Sequence, residues 1–221
     1  MSEVRVDPLT GLRTLVGAEH APTHDDLYTS LPDGHVEERL TGGPATWRER
    51  VRARGAACAL VRAESIEAAT LFALDFVPAA IARERERFSA YAVRTMGGNL
   101  LGDLVQEEVR RRARLVAYDD EAVLIAPYAS RHERQLLLAP RTPAPRWEAA
   151  DRPGDALLSQ TLERLGGGFE AWVRTAPSGA EHYCWRIDIL PAIPADDPLA
   201  RGAGLPTCAL APEAWAAQLR A

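Results

Sequence analysis

The sequence predicts an α+β fold built on antiparallel sheet. Segments with helical and with strand character do not alternate in strict order, which argues against a doubly wound parallel sheet. Three strand-like segments follow one another between residues 115 and 140 with short polar turns, as in an antiparallel meander. The 221 residues are 47% hydrophobic and 26% charged, a composition typical of one compact soluble unit.

The first third of the chain carries few regular patterns. A turn signal at residues 7–11 precedes a strand-like stretch over 12–16, and residues 18–44 are then interpreted as a long loop, either functional or disordered. An apolar run over 56–61 and an alternating segment over 70–76 predict two strands.

Two helices are predicted next. Pro78 begins a helix over 79–94, whose charged run 83–87 is interpreted as a solvated face. Asn99 caps a second helix that is predicted to extend to about residue 114. Glu108 lies in the middle of the apolar stripe of this helix. The stripe is formed by Leu100, Leu101, Leu104, Val105 and Val109.

The remaining elements continue the α+β pattern. The three meander strands cover 115–118, 122–127 and 135–140. A helix over 153–165 ends at the glycine run 166–168, which is interpreted as a helix C-cap and not as a phosphate loop. Strands over 170–175 and 182–190 follow, and a helix over 212–220 ends the chain.

Composition excludes several classes of function. The net charge of −5 and the absence of lysine argue against general nucleic-acid binding. Neither a cationic leader nor an apolar run of membrane-spanning length is present, and the three cysteines are widely spaced, so we expect a cytoplasmic protein with no membrane partner. The common nucleotide-loop, nucleophile-elbow and zinc-protease motifs are missing.

The five histidines give no metal signal. His20 and His24 alone are four residues apart, and they lie in the predicted loop beside two aspartates, where a solvated turn is the simpler interpretation. We therefore predict neither a metal nor a cofactor.

Charged residues in apolar settings are more informative. A carboxylate in an apolar stripe must be neutralised, and Arg186 is the predicted ion-pair partner of Glu108. The segment 182–190 alternates, which places Tyr183, Trp185, Ile187 and Ile189 on one face. The opposite face carries a polar row that lines either a ligand cleft or the solvent side of a sheet. The row consists of His182, Cys184, Arg186 and Asp188.

Four segments together resemble the galactose-1-phosphate uridylyltransferase family of the histidine-triad superfamily. They are residues 5–11 (Arg-Val-Asp-Pro-Leu-Thr-Gly), 75–78 (Asp-Phe-Val-Pro), 105–108 (Val-Gln-Glu-Glu), and 172–175 with 184–191. The resemblance implies two histidine-triad-like halves, each an antiparallel sheet with flanking helices. Here they would be a shortened first half over 1–98 and a second half over 99–221. It also implies a homodimer and a two-step transfer of a uridylyl group from UDP-glucose to a sugar 1-phosphate through a covalent histidine intermediate.

The resemblance also locates a loss. Ile66, Ala68 and Thr70 stand where the family has two histidines and a glutamine, so the nucleophile position holds Ala68, and no catalytic residue is assigned. The family's frequent cysteine pair for zinc is missing, and Arg186 would replace a metal beside Glu108. The expected function is a catalytically impaired relative that retains binding of a UDP-sugar or sugar 1-phosphate. Its candidate binding residues are Thr70, Arg174, His182, Arg186 and Asp188.

Two alternatives remain open at this point. One is an active nucleotidyltransferase with a substitute nucleophile, for which His132 and His182 are the candidates. The other is a structural or assembly protein that uses no small ligand.

Overall fold

The computed structural model of the chain describes residues 2–8, 13–17, 29–32, 34–151, 153–193 and 196–221. These residues form strands and helices that are numbered separately in chain order. The strands are β1 Ser2–Val6, β2 Arg13–Gly17, β3 Thr29–Pro32, β4 His35–Thr41, β5 Cys58–Ala63, β6 Ala68–Leu74, β7 Leu115–Tyr118, β8 Ala122–Ile125, β9 Leu136–Pro140, β10 Phe169–Arg174 and β11 Arg186–Pro191. The helices are α1 Gly43–Arg54, α2 Ala79–Arg94, α3 Leu100–Arg111, α4 Asp155–Leu165, α5 Pro198–Ala203 and α6 Pro212–Arg220, with a 3-10 turn at Trp147–Ala149.

Two antiparallel sheets organise the described residues. The small sheet has the order β2-β1-β3, and the large one has eight strands in the order β4-β6-β5-β10-β11-β9-β8-β7. The pairing of β5 with β10 joins the strands before residue 98 to those after it, so the large sheet is continuous across that point. The predicted α+β class with antiparallel sheet and flanking helices is confirmed.

One face of the large sheet carries the main core. Alternate apolar side chains of the central strands, such as Val61, Val173 and Ile187, pack under α1, α4, α6 and the 3-10 turn. Trp47, Trp147 and Trp185 are fully buried in this layer. Because apolar burial is the main driving force of folding, this layer attaches the helices to the sheet.

The opposite face is covered over part of its width by α2 and α3. Phe88 of α2 packs on Tyr183 with ring centroids 4.8 Å apart, and Leu101 and Val105 of α3 cover β8 and β9. The row of side chains that β10 and β11 project towards α2 is polar, and this row becomes the floor of the cleft described below.

Local signals predicted several helix ends well. The Asn99 side chain accepts a hydrogen bond from the backbone N–H of Gly102 at 3.0 Å, which confirms the predicted cap of α3. Pro78 immediately precedes α2, and Gly166 ends α4 with φ of 68°. These signals work because capping and φ restriction depend only on neighbouring residues.

The interpretation of residues 18–44 as loop is wrong for the part that the structure describes. Residues 29–32 form β3, residues 35–41 form β4, and α1 begins at Gly43, while residues 18–28, with His20 and His24, and residue 33 lie outside the described residues. Among the described strands β4 lies at one edge of the large sheet, and its charged side chains Glu37 and Arg39 are exposed. Because several of its residues are charged, β4 lacks the apolar alternation that predicts a strand.

The predicted strand 182–190 is four residues too long at its start. β11 begins at Arg186, and the preceding residues form an irregular segment in which Tyr183 joins the cluster under α2 while Trp185 joins the main core. The predicted shared face of Tyr183 and Trp185 is therefore wrong. Alternation of side chains applies only inside the strand. Among the described residues, no helix is long and apolar enough to cross a membrane.

Candidate functional site

A cleft of about 290 Å³ lies between the polar face of β10 and β11, helices α2 and α3, and the segment that joins β8 to β9. Its lining divides into a charged floor, an apolar wall and a cationic rim. The lining residues on which the description below relies are Glu84, Arg87, Arg131, Arg174, Arg186 and Asp188.

The floor comes directly from strand register. Arg174 of β10 pairs with Arg186 of β11, and Trp172 pairs with Asp188, so these four side chains lie on one face as cross-strand neighbours. Val173 and Ile187, one residue away, point into the main core on the other face. Of the predicted polar row, Arg186 and Asp188 lie on the cleft floor beside Arg174 of β10, whereas Cys184 is buried and neither it nor His182 lines the cleft.

The two arginines of the floor are paired with two carboxylates. Arg186 Nε lies 3.2 Å from Asp188 Oδ1, and Arg186 Nη1 donates to Glu84 Oε1. Arg174 Nη1 lies 3.7 Å from Glu84 Oε2, and Arg174 Nε lies 2.8 Å from Asp188 Oδ2, an ion pair without hydrogen-bond geometry. Glu84 therefore bridges both guanidinium groups from the side of α2. The four side chains form an electrically balanced cluster, called here the inner quartet.

The rim of the cleft is cationic. Arg87 and Arg131 are exposed, and within the described part of the chain neither has a carboxylate partner. Four arginines against two carboxylates leave the cleft an excess of two positive charges, although the chain carries −5 overall. Unpaired arginines beside a concave surface are a usual arrangement for binding anions.

Arg131 is held at the rim by Gln135. The Gln135 side chain is 8% exposed, and its Oε1 accepts the backbone N–H of Arg131 at 2.8 Å. Ser130 Oγ donates to the Pro127 carbonyl at 3.0 Å, which fixes the same segment. The apolar wall on the other side is formed by Phe88, Leu100, Leu101 and Leu104.

Two of the predicted binding residues lie elsewhere. Thr70 stands on the same sheet face as Asp188, but the register runs from Thr70 through Arg62 and Trp172 to Asp188, three strand spacings or about 14 Å. His182 is exposed in the segment before β11, and its carbonyl accepts from Asn99 Nδ2 at 3.2 Å. Only Arg174, Arg186 and Asp188 are brought together.

Ala68 lies at the start of β6, where its carbonyl closes the turn from β5 by accepting the Glu64 N–H at 3.0 Å. It does not line the cleft. The described residues of the lining include no histidine, cysteine, serine, threonine or lysine, so His132 and His182 do not face this cavity. Among the described residues no group of three histidine, cysteine, aspartate or glutamate side chains is placed to hold a metal ion.

The predicted pair of Glu108 with Arg186 is wrong. Glu108 is buried as predicted, but its Oε1 accepts from Arg114 Nε at 3.0 Å and from Arg114 Nη2 at 2.6 Å. Arg112, with φ of 58°, ends α3 and turns the chain so that Arg114 comes back beside Glu108. The hydrogen bond from Arg114 to Glu108 also raises the pKa of Arg114. Arg186 instead faces α2.

Four residues that line the cleft are not among those predicted from the sequence: Glu84, Arg87, Arg131 and Gln135. The run 83–87 was interpreted as a solvated face, yet Glu84 lies three residues after buried Ile81 and four before buried Phe88. This spacing places it on the buried face of α2 and was the available signal. For Arg131 and Gln135 no local signal exists, because their position depends on how the β8–β9 segment packs.

Several solved structures share this arrangement of strands and helices. A structure described as that of a uridylyltransferase matches with a TM-score of 0.82 over 99% of this chain and 97% of that chain, at 16% identity. The chain has the uridylyltransferase fold. An ADP-glucose phosphorylase from Arabidopsis thaliana, solved with bound ADP-glucose, matches at a TM-score of 0.66 and 17% identity over 80% of this chain and 63% of that chain.

A structure described as that of a GalT-like protein from Arabidopsis thaliana matches at a TM-score of 0.67 and 16% identity, over 80% of this chain and 66% of that chain. No protein-family model and no curated protein sequence matches the chain. The resemblance that the four sequence segments indicated is therefore confirmed as a fold relationship, at low identity.

Proposed function

We propose that this uridylyltransferase-fold protein binds a phosphorylated small molecule, a UDP-sugar or a sugar 1-phosphate, in the cleft above β10 and β11, and that it does not form a uridylyl-histidine intermediate. The observation that carries the proposal is the cationic rim. Arg87 and Arg131, which have no carboxylate partner among the described residues, add two positive charges to a balanced floor, in a cavity large enough for a phosphate ester.

The lining chemistry supports binding without covalent transfer. A covalent transfer needs a nucleophile with a base or a lowered pKa beside it. Arginine stays protonated and cannot serve as either, and the carboxylates of Glu84 and Asp188 are engaged by arginines. Ala68, at the position matched to the family's nucleophile, offers only a methyl group. We therefore expect neither turnover nor a covalent intermediate.

The apolar wall supports a ligand with an uncharged portion. Leu100, Leu101 and Leu104 stand opposite the charged residues, so a ligand whose phosphate contacts Arg87 and Arg131 would place a ring system against leucine side chains. Ligand sites commonly combine an apolar lining with a few polar groups that fix orientation. A free inorganic anion would make no apolar contact with this wall.

Calorimetric titration of the purified chain with UDP-glucose and with galactose 1-phosphate tests the proposal. We expect binding that weakens about tenfold in Arg87→Gln and in Arg131→Gln, because each removes a charge-assisted contact to phosphate. Arg83→Gln is the matched control, since Arg83 is exposed on the same helix as Arg87 and lies outside the cleft. Equal losses in Arg83→Gln and Arg87→Gln would place the ligand outside this cleft.

Incubation with both substrates, followed by product analysis and intact-mass measurement, tests the absence of chemistry. We expect no transfer of a uridylyl group between UDP-glucose and galactose 1-phosphate, and no uridylyl adduct on the protein. An adduct that maps to a histidine would overturn the proposed impairment and would identify a substitute nucleophile.

A structural role is the second candidate, and the inner quartet is the observation that favours it, because its charges balance without a ligand. No binding of either compound at millimolar concentration, together with loss of stability when Arg186 is replaced, would decide for that role.

A further inference from the structure

The carboxylate of Glu84 occupies the place where a ligand anion would contact both floor arginines. It bridges Arg186 Nη1 and Arg174 Nη1 from helix α2, while Asp188 contacts the same two arginines from strand β11, on the same face of the sheet. The side chain of Asp188 is only 6% exposed, whereas that of Glu84 is 20% exposed and reaches the cleft. Of the two carboxylates, Glu84 is the one that a ligand can displace.

The backbone that carries Glu84 is held in place. Ile81 is 5% exposed and Phe88 is 5% exposed, and both lie on the packed side of α2, one turn before and one turn after Glu84. Phe88 contacts the ring of Tyr183, which is buried in turn. Withdrawal of the carboxylate therefore requires a change of side-chain rotamer and the loss of its contacts with Arg174 and Arg186.

Charge divides the cleft into two anion positions. The rim position, at Arg87 and Arg131, has two positive charges that no carboxylate of the described residues balances. The inner position is already neutral, so an anionic group that enters it while Glu84 remains adds an uncompensated negative charge in a partly buried space. A ligand with one phosphate needs the rim alone, whereas a ligand with two adjacent phosphates gains from the second only if Glu84 withdraws.

From this arrangement we propose that Glu84 is a specificity-determining residue that acts as an internal competitor for anions, so that the cleft selects phosphate monoesters and gains nothing from a second phosphoryl group. The inference rests on the proposed function, because it concerns the same cleft. It names the ligand class as a monophosphate ester with an uncharged ring portion. Among the proposed ligands, it favours the sugar 1-phosphate over the UDP-sugar.

The test compares UMP with UDP in metal-free buffer, where no cation neutralises the diphosphate. For the unaltered chain we expect dissociation constants that agree within about threefold, since the second phosphate finds no free arginine. In Glu84→Gln we expect UDP to bind about tenfold more tightly than UMP, because the amide no longer competes for Arg174 and Arg186.

Glu86→Gln is the matched control. It removes one negative charge from an exposed position on the same helix, and Glu86 does not line the cleft. We expect its ratio of UMP to UDP affinity to equal that of the unaltered chain. Glu84→Asp serves as a second variant if the amide destabilises the fold, because the shorter side chain draws the carboxylate back from the arginines, and it is expected to give an intermediate ratio.

Two outcomes would overturn the inference while leaving the proposed function intact. One is a preference of the unaltered chain for UDP of about tenfold, and the other is an unchanged ratio of UMP to UDP affinity in Glu84→Gln. An unchanged ratio that comes with an equal loss of both affinities would mean that Glu84 positions the arginines. Absence of binding of UMP, UDP, UDP-glucose and galactose 1-phosphate to every variant would instead remove the proposed function together with this inference.

Discussion

Replacement of Arg114 by methionine is expected to destabilise the protein more than any surface ion-pair substitution. The side chains of Arg114 and Glu108 are 11% and 7% exposed, and Glu108 Oε2 has no hydrogen-bond partner among the described residues. Arg114→Met would leave a buried carboxylate without any partner. Removal of one member of such a pair costs about 3 kcal/mol, which lowers the melting temperature of a chain of this size by about 6–12 °C.

A double-mutant cycle separates the pair from the loss of packing. Glu108→Leu with Arg114→Met replaces both buried charges by apolar groups and also removes the contact of Arg114 Nη1 with Glu213 Oε1 at 2.6 Å. Because the Glu213 side chain is 47% exposed, that second pair contributes little, and we expect the double variant to lie within about 1 kcal/mol of the unaltered chain. Urea unfolding followed by circular dichroism measures all four proteins. Arg110→Met is the control, because Arg110 is 75% exposed in its pair with Glu107 and exposed pairs contribute about 0–1 kcal/mol.

The result that refutes this reasoning is a coupling energy between Glu108 and Arg114 below about 0.5 kcal/mol, the value typical of independent sites. A large coupling between Glu108 and Arg186, measured in the same way, would restore the pairing that sequence analysis predicted.

Three further predictions concern packing, titration and thiol reactivity. Gly154→Ala is expected to lower the free energy of unfolding, measured in urea, by about 2 kcal/mol or more, because Gly154 has φ of +74° and an added Cβ would lie 2.7 Å from the Ala122 side chain. Gly167→Ala is the control and should leave the free energy of unfolding unchanged, because a Cβ added there meets nothing within 4 Å. Burial raises the pKa of both Cys58 and Cys184 to about 11 from 9.0. The folded state then binds more protons than the unfolded state between pH 9 and 11, so stability should fall as pH rises through that window, and Cys58→Ala should flatten the fall. With a chromogenic disulfide reagent at pH 8 we expect Cys208 alone to react before unfolding, because the other two thiols are buried. Reaction of all three thiols in the folded protein would contradict this expectation. A loss of stability at high pH that is the same in Cys58→Ala, or equal losses of unfolding free energy in the two glycine variants, would contradict the other two.

Features that depend on neighbouring residues were predicted correctly. The cap at Asn99, the start of α2 after Pro78 and the glycine end of α4 follow from φ preferences and short-range hydrogen bonds. Alternation within β11 placed Arg186 and Asp188 on one polar face, because side-chain direction in a strand has a period of two. Alternation therefore identified two of the three charged residues of the cleft floor.

Other features required the tertiary structure. Glu84 meets the two floor arginines only because α2 packs over β10 and β11, a contact between residues about one hundred positions apart in the chain. The edge strand β4 is stabilised by its pairing with β6, and its own charged side chains give no strand signal. The position of Glu108 in an apolar stripe indicated that its carboxylate needs a cationic partner. That partner is Arg114 and not Arg186, because the turn after α3 brings Arg114 back beside Glu108. The sequence by itself determined which residues require partners, where α2 and α3 begin and where α4 ends. The choice among possible partners belongs to long-range packing, because many pairings satisfy the same local chemistry and only the assembled sheet and helices bring particular side chains within reach.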